Sequence, residues 1–341
     1  MKTSTKLASA LAVPLALVTA VAQAGEIGHY AGGFMNIRDF FVPEPGFYGG
    51  VINYFYTTDR LNDRNGNKVS TVTVNPGGGP GVNLGVAVNL DMYVLAPSLI
   101  YVTDIKSLGI KYGALICPTF ANASLEGALS TVTGRGGKAE GSSFDVGDML
   151  VQPVMLGKTL EHWDFTLSYG FYAPIGKYNT ETVTLPVVGP VKTESPDNIG
   201  FGFWTHQFQG AAAWYPWADK RMAIATALTY EFHGKKDGFD LTPGQNLTFN
   251  WGISQFLPLK KDHTLLLEVG PAGYDSWQIT DDTGSAAANP SVHDEVHAVG
   301  GQVAFVYLPW KTALTFHDFY EFAAEDRFQG ESFGVSLSKK F

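Results

Sequence analysis

The chain ends Glu331-Ser332-Phe333-Gly334-Val335-Ser336-Leu337-Ser338-Lys339-Lys340-Phe341, and the fold is decided by how that stretch is read. Phe333, Val335, Leu337, Lys339 and Phe341 alternate with Gly334, Ser336, Ser338 and Lys340. That period of two marks a strand with one mostly apolar face and one small, polar face. In a soluble sandwich the apolar face meets a core. In a transmembrane barrel it meets lipid, while small and polar residues line the lumen. The rest of the chain separates these cases.

A final strand that stops on an aromatic resembles the signal by which bacterial outer-membrane proteins reach the barrel-assembly machinery, so Phe341 is the expected assembly signal. The other end agrees. Lys2 and Lys6 precede an uncharged run from Leu7 to Val21, and Ala22-Gln23-Ala24 supplies the small residues of a cleavage site. The run is shorter than the roughly 20 residues that span a bilayer as a helix. Residues 1–24 therefore read as a signal peptide, and any later membrane insertion must be by strands.

Charged residues are only 16% of the chain, while its 39 glycines and 13% aromatics suit strands and tight turns better than helices. A formal charge of −9 makes nucleic acid a poor partner. The lone Cys117 excludes an internal disulfide and reads as a small buried or lipid-facing residue.

Residues 25–46 carry Gly28, Gly32, Gly33, Pro43, Pro45 and Gly46, which break any regular pattern. Beyond them, apolar-alternating runs fall near 47–58, 83–103, 108–130, 147–158, 161–175, 198–215, 219–233, 245–257, 262–274, 296–308, 311–323 and 328–341. The gaps between them alternate long and short, as extracellular loops and periplasmic turns do in an outer-membrane barrel. The expectation is a single antiparallel transmembrane β-barrel of about 12 strands, residues 47–341, in the all-β class. In the run at 219–233, Met222, Ile224, Leu228, Tyr230 and Phe232 oppose Ala223, Ala225, Ala227, Thr229 and Glu231. Leu247, Phe249, Trp251 and Ile253 likewise oppose Asn246, Thr248, Asn250, Gly252 and Ser254. A soluble sandwich would carry Lys and Glu on its second face rather than Ala, Gly, Ser and Thr. Tyr48, Phe55, Tyr56, Tyr101, Trp163, Tyr172, Trp214, Tyr215, Trp217, Tyr307 and Trp310 crowd the run ends, as interfacial girdles do.

Motifs for chemistry are weak. His293 and His297 stand four apart but at a loop-to-strand junction, where that spacing means about 13 Å, so no metal site is expected. Asp63, Asn65 and Gly66 lack the closing glutamate of a calcium loop and read as a turn. The glycine-rich Asn75 to Gly81 lacks the Lys-Ser/Thr ending of a phosphate loop, and no Gly-x-Ser-x-Gly nucleophile motif occurs. Neither a cofactor nor an enzymatic activity is indicated. Asp91, Glu231, Asn250, Glu268, His317 and Glu321 fall on the polar face of their runs, as lumen or substrate-pathway candidates. An internal network that stiffens the barrel is the other reading of the same residues.

Gly147-Asp148-Met149-Leu150-Val151-Gln152-Pro153, Tyr169 to Tyr178, Asn198 to Thr205 and Thr242-Pro243-Gly244-Gln245 resemble the meta-pathway phenol-degradation family of outer-membrane proteins. Tyr230-Glu231 and the opening Pro43 to Tyr48 fit it too. The resemblance implies an outer-membrane barrel associated with breakdown of aromatic or other hydrophobic compounds, with no binding residues to carry over.

The expected function is a passive channel in the bacterial cell outer membrane for small hydrophobic or aromatic molecules, with membrane lipid as its other partner. The alternatives are a structural barrel with a closed lumen and a lipid-acting enzyme built on a barrel. Residues 25–46 are too broken for wall yet carry Tyr30, Phe34, Met35, Ile37, Phe40 and Phe41, with Arg38 and Asp39 among them. Such a segment needs cover, and a lumen plug with Arg38 meeting lumen carboxylates such as Glu231 or Glu321 supplies it; the other reading is a disordered or periplasm-packed leader. Deleting Phe341 is expected to lower assembled barrel while leaving secretion intact. Heat-modifiable gel mobility reads this, and unchanged assembly removes the delivery role.

Overall fold

The structure is a computed structural model that describes residues 27–74, 82–130, 136–185, 189–195, 197–287 and 289–341. The expected signal peptide and the glycine-rich Asn75 to Gly81 lie outside the described residues. The described strands are β1 (Gly46–Thr58), β2 (Thr71–Val74), β3 (Val82–Ile105), β4 (Ile110–Cys117), β5 (Phe120–Ser130) and β6 (Gly136–Val146). They continue as β7 (Met149–Thr159), β8 (Trp163–Ala173), β9 (Thr180–Leu185), β10 (Gly189–Glu194), β11 (Thr205–Trp214) and β12 (Met222–His233). The last are β13 (Asn246–Pro258), β14 (Leu265–Gln278), β15 (Glu295–Tyr307), β16 (Thr312–Glu325) and β17 (Glu331–Lys340).

Twelve of these form a closed antiparallel wall: β1, β3, β4, β7, β8 and β11 through β17. Closure is made where β1 pairs β17, from Tyr48↔Lys340 to Thr57↔Glu331, and on its other side pairs β3, from Gly46↔Val102 to Thr58↔Leu90. Neither edge is left with unpaired peptide groups, which hydrocarbon could not satisfy. The tight turns gather at one rim, among them a 3-10 turn at Leu308–Trp310 closed by Lys311 at φ 49°.

The long gaps carry more strand than the sequence indicates. The outer half of β3 pairs β2 and β5, β5 pairs β6, and β9 pairs β10 as a separate hairpin. The expected gap from Thr131 to Val146 therefore holds β6. Its Gly136, Gly137, Gly141, Ser142 and Ser143 give no apolar period, and β6 pairs only with β5 among the described strands.

Parity along the wall follows the expected faces. In β12, Ala223, Ala225, Ala227, Thr229 and Glu231 are buried inward, and Leu228 is exposed outward. In β13, Asn246, Thr248, Asn250 and Ser254 are buried, and Ile253 is exposed. Phe47, Trp163, Trp214, Trp217, Trp310 and Phe341 are exposed toward the tight-turn rim. Three of the expected girdle tyrosines turn inward instead. Tyr56 donates to Glu321 Oε2 (2.8 Å), Tyr215 donates to Asp164 Oδ2 (2.6 Å), and Tyr172 is buried against His29. A phenol with an inward partner satisfies its hydroxyl there rather than in the headgroup layer.

Leu228 lies midway along β12 and has Phe249 of β13 as its cross-strand partner. Leu228→Arg or Phe249→Arg is expected to destabilise the vesicle-embedded barrel by about 2–4 kcal/mol, whereas Glu331→Arg, on a strand end, costs about 0–1 kcal/mol. Urea unfolding from lipid vesicles measures this, and equal losses at both depths would contradict the membrane placement.

Candidate functional site: the lumen and its N-terminal segment

Residues 27–45 run inside the wall from one rim to the other. At the tight-turn rim Glu44 meets Lys111 at 2.5 Å, and at the outer rim His29 meets Asp148 at 2.9 Å. The segment is irregular, so its peptide N–H groups have no ladder and must find other acceptors. Inward side chains of the wall provide them. Tyr30 N donates to Glu231 Oε1 (3.0 Å), Gly33 N to Asn250 Oδ1 (3.1 Å), Ile37 N to Gln302 Oε1 (2.8 Å) and Val42 N to Thr166 Oγ1 (3.3 Å). The approach is close: a Cβ on Gly28 would lie 2.4 Å from Glu231 Oε2. The large apolar side chains of the segment fit where the wall is small. Tyr30, Ile37, Phe40 and Phe41 share a buried cluster with Ala211, Ala213, Ala223, Ala225, Ala227 and Ala272.

Glu231, Asn250, Glu268, His317 and Glu321 are all buried on the inward side. Asp91 is not. It is exposed on the outward face of β3, with the parity of Leu95 and Leu99 rather than of buried Ala96 and Val102, and accepts a bond from Thr57 Oγ1 at 2.7 Å. Standing on the outer half of the long β3, it lies where a carboxylate needs no lumen to stay solvated. Arg38 meets a lumen carboxylate, and the one it meets is Glu268 rather than Glu231 or Glu321. Arg38 Nε donates to Glu268 Oε1 (2.7 Å) and Ser254 Oγ (3.1 Å), Nη1 donates to Lys220 O (3.1 Å), and the guanidinium lies 4.3 Å from the Phe256 ring centre. The two expected partners are engaged otherwise: Glu231 by Tyr30 N, and Glu321 by Tyr56, Tyr274 and Gly330 N. Asn36 Nδ2 donates to Asp39 Oδ2 (2.5 Å) and Ser336 Oγ (2.9 Å), and His317 Nδ1 donates to Asn36 Oδ1 (3.1 Å). Asp39 itself is exposed, and Phe34 is half-buried with its ring 5.7 Å from that of Tyr54.

Sequence reasoning missed the outer-rim network. His29 Nε2 donates to Asp148 Oδ2, while Gly176 N and Phe201 N donate to the same carboxylate at 2.9 and 2.8 Å. Thr205 Oγ1 lies 2.7 Å from both His29 Nδ1 and His233 Nδ1, and His233 Nε2 lies 2.8 Å from Asn246 Oδ1. Asp148, His29 and Thr205 thus line up as an acid–imidazole–hydroxyl relay. Thr205 has no exposed surface, however, so its hydroxyl has no access to a substrate. Among the described residues no group of three or more His, Cys, Asp or Glu could hold a metal ion. His293 pairs with Asp281, and His297 lies between Asp275 and Glu295. Asp63 closes a turn by accepting from Asn65 N and Asn67 N, both at 2.9 Å.

Burial holds the His29 imidazole below its ordinary pKa of 6.5, against the opposing pull of Asp148. At His29 the undocked segment therefore takes up a proton first, and the contribution of His29 to docking is lost as pH falls below about 6.5. The expected outcome is faster proteolysis of the segment at pH 5 than at pH 7.5 in the assembled barrel, and no such change in His29→Gln.

The sequence profile of the family described as "Putative MetA-pathway of phenol degradation" matches residues 58–337. Among solved structures, the crystal structure of an outer membrane channel from Pseudomonas putida F1 matches with a TM-score of 0.58 at 14% identity, covering 90% of this chain and 100% of that one. The β domain of the Bordetella autotransporter BrkA gives 0.49 at 11% identity over 86% and 99% of the two chains. The P. putida toluene transporter TodX gives 0.40 at 11% over 89% and 91%. No curated protein matches in sequence.

Proposed function

This chain belongs to the phenol-degradation family just described, and from that premise we propose that it is an outer-membrane channel for passive uptake of small hydrophobic or aromatic compounds, narrowed by its own N-terminal segment. The family's description supports the aromatic cargo. The closed wall with an apolar outer face supports the bacterial outer membrane, whose lipid is then its immediate partner. Phe341, exposed at the tight-turn rim with its N–H bonded to Phe47 O (2.9 Å), is available to the assembly machinery.

The observation that carries the plug is the fit around Ile37 and Phe40. The void left there among Ala225, Gly252, Ala272 and Phe319 is only about 10 Å3. That is room for about one water and for no aromatic ring. Passage beside Ile37 and Phe40 therefore requires the segment to shift, breaking the bonds to Glu231, Asn250 and Gln302 and the Arg38–Glu268 pair. The same tightness favours the rival reading of a structural barrel with a closed lumen. Deleting Glu26 to Glu44 behind the intact signal peptide separates them. The channel reading expects a barrel that still assembles and shows raised single-channel conductance in planar bilayers. An assembled deletion variant with unchanged conductance ends it.

A further inference from the structure

Outside the lumen, three outer connections enclose an open cleft of about 750 Å3. Its walls come from Tyr178 after β8, from Gly202, Phe203 and Trp204 before β11, and from Lys235, Lys236 and Phe239 after β12. The volume lies within the roughly 300–1,000 Å3 of small-molecule sites. The connections are pinned to one another. Tyr178 donates its hydroxyl to Asp237 O (3.3 Å), Asp237 N donates to Gly202 O (2.8 Å), and Gly234 N donates to Trp204 O (2.7 Å). The Tyr178 ring lies so close over Gly202, at φ 74°, that a Cβ there would meet it at 2.6 Å. Lys192 reaches across to Gly238 O (2.8 Å), with its ammonium 5.4 Å from the centre of the Phe239 ring. The cleft is preformed.

The lining is aromatic with a basic edge. Trp204 is half exposed. Phe203 forms the floor, only 1% exposed, with its ring 5.0 Å from that of His29 and 5.3 Å from that of His233. The two lysines differ in how firmly they are held. Lys236 is buried, with Nζ 2.5 Å from Glu194 and 5.9 Å from the Phe203 ring centre. Lys235 is solvent-exposed and bonds Asp240 at 2.7 Å. An ion pair exposed on both sides is worth about 0–1 kcal/mol, so Lys235 exchanges partner at little cost. Asp240 keeps partners when it does, because it also accepts from Ser285 N (3.0 Å) and Ser285 Oγ (2.7 Å).

We propose that this cleft binds a single-ring aromatic molecule bearing one acidic oxygen, the ring against Trp204 and Phe239 above Phe203 and the oxygen taking Lys235 from Asp240. The site deepens the channel reading, on which it rests for its purpose: the ligand would sit one aromatic layer, Phe203, from His29 at the outer end of the lumen segment.

The test is calorimetric titration of the full-length barrel in detergent micelles with benzoate and with toluene, assembly of every variant being checked by heat-modifiable mobility. The expected result is that benzoate binds more tightly than toluene. Trp204→Ala lowers the affinity for both about tenfold, and Lys235→Met lowers that for benzoate alone, again about tenfold. Phe239→Ala, in a loop, repeats the ring test where Trp204→Ala fails to assemble. Three results overturn the site: no benzoate binding to the native barrel, unchanged benzoate affinity in the ring variants, or equal losses for both probes in Lys235→Met. The channel reading fails separately. Binding as expected, in a barrel whose conductance is unchanged by the N-terminal deletion, keeps the cleft and removes the channel; raised conductance with binding untouched by every substitution does the reverse.

Discussion

A peptide chain threaded through a barrel must satisfy with side chains the N–H groups that its own turns leave over, because every wall strand already spends its backbone on its neighbours. Much of the inward face of this protein follows from that. Glu231, Asn250, Gln302 and Thr166 stand where the backbone of Tyr30, Gly33, Ile37 and Val42 presents a donor. The alanines of β11 and β12 stand where that segment has bulk. Polar length and apolar smallness on the inner face are two halves of one complementary mould. A water-filled pore would require neither.

The outer face was legible from the sequence because lipid admits few exceptions. One misplaced side chain in the hydrocarbon costs about 2–4 kcal/mol when it is a cation, so the period of two is kept through β8, β12 and β13. The outer connections were not legible. Nothing apolar disciplines them, and β6, rich in glycine and serine, reads as a gap although it is paired along its length. Asp91 shows the same limit from another side, since the parity of a long strand carries no functional meaning once the strand leaves the apolar band.

Within the lumen, residue types were legible and pairings were not. Arg38 needed a carboxylate, and composition offered several. The choice of Glu268 depends on the height at which the segment crosses β14, and no local pattern encodes that. His29, Asp148, Thr205 and His233 left still less trace. The His29–Asp148 contact joins residues 119 apart, and each member alone looks like an ordinary polar residue near a glycine or a strand end.

The segment is tied to the wall at Gly46, where β1 begins at the tight-turn rim, and its other described end reaches the opposite rim at His29. A tether of this kind gives the lumen a mechanical polarity. Traction from the outer side only draws the cord tauter along the axis it already occupies. Among the described residues, the bore therefore clears by drawing the segment back toward the rim at which Gly46 holds it.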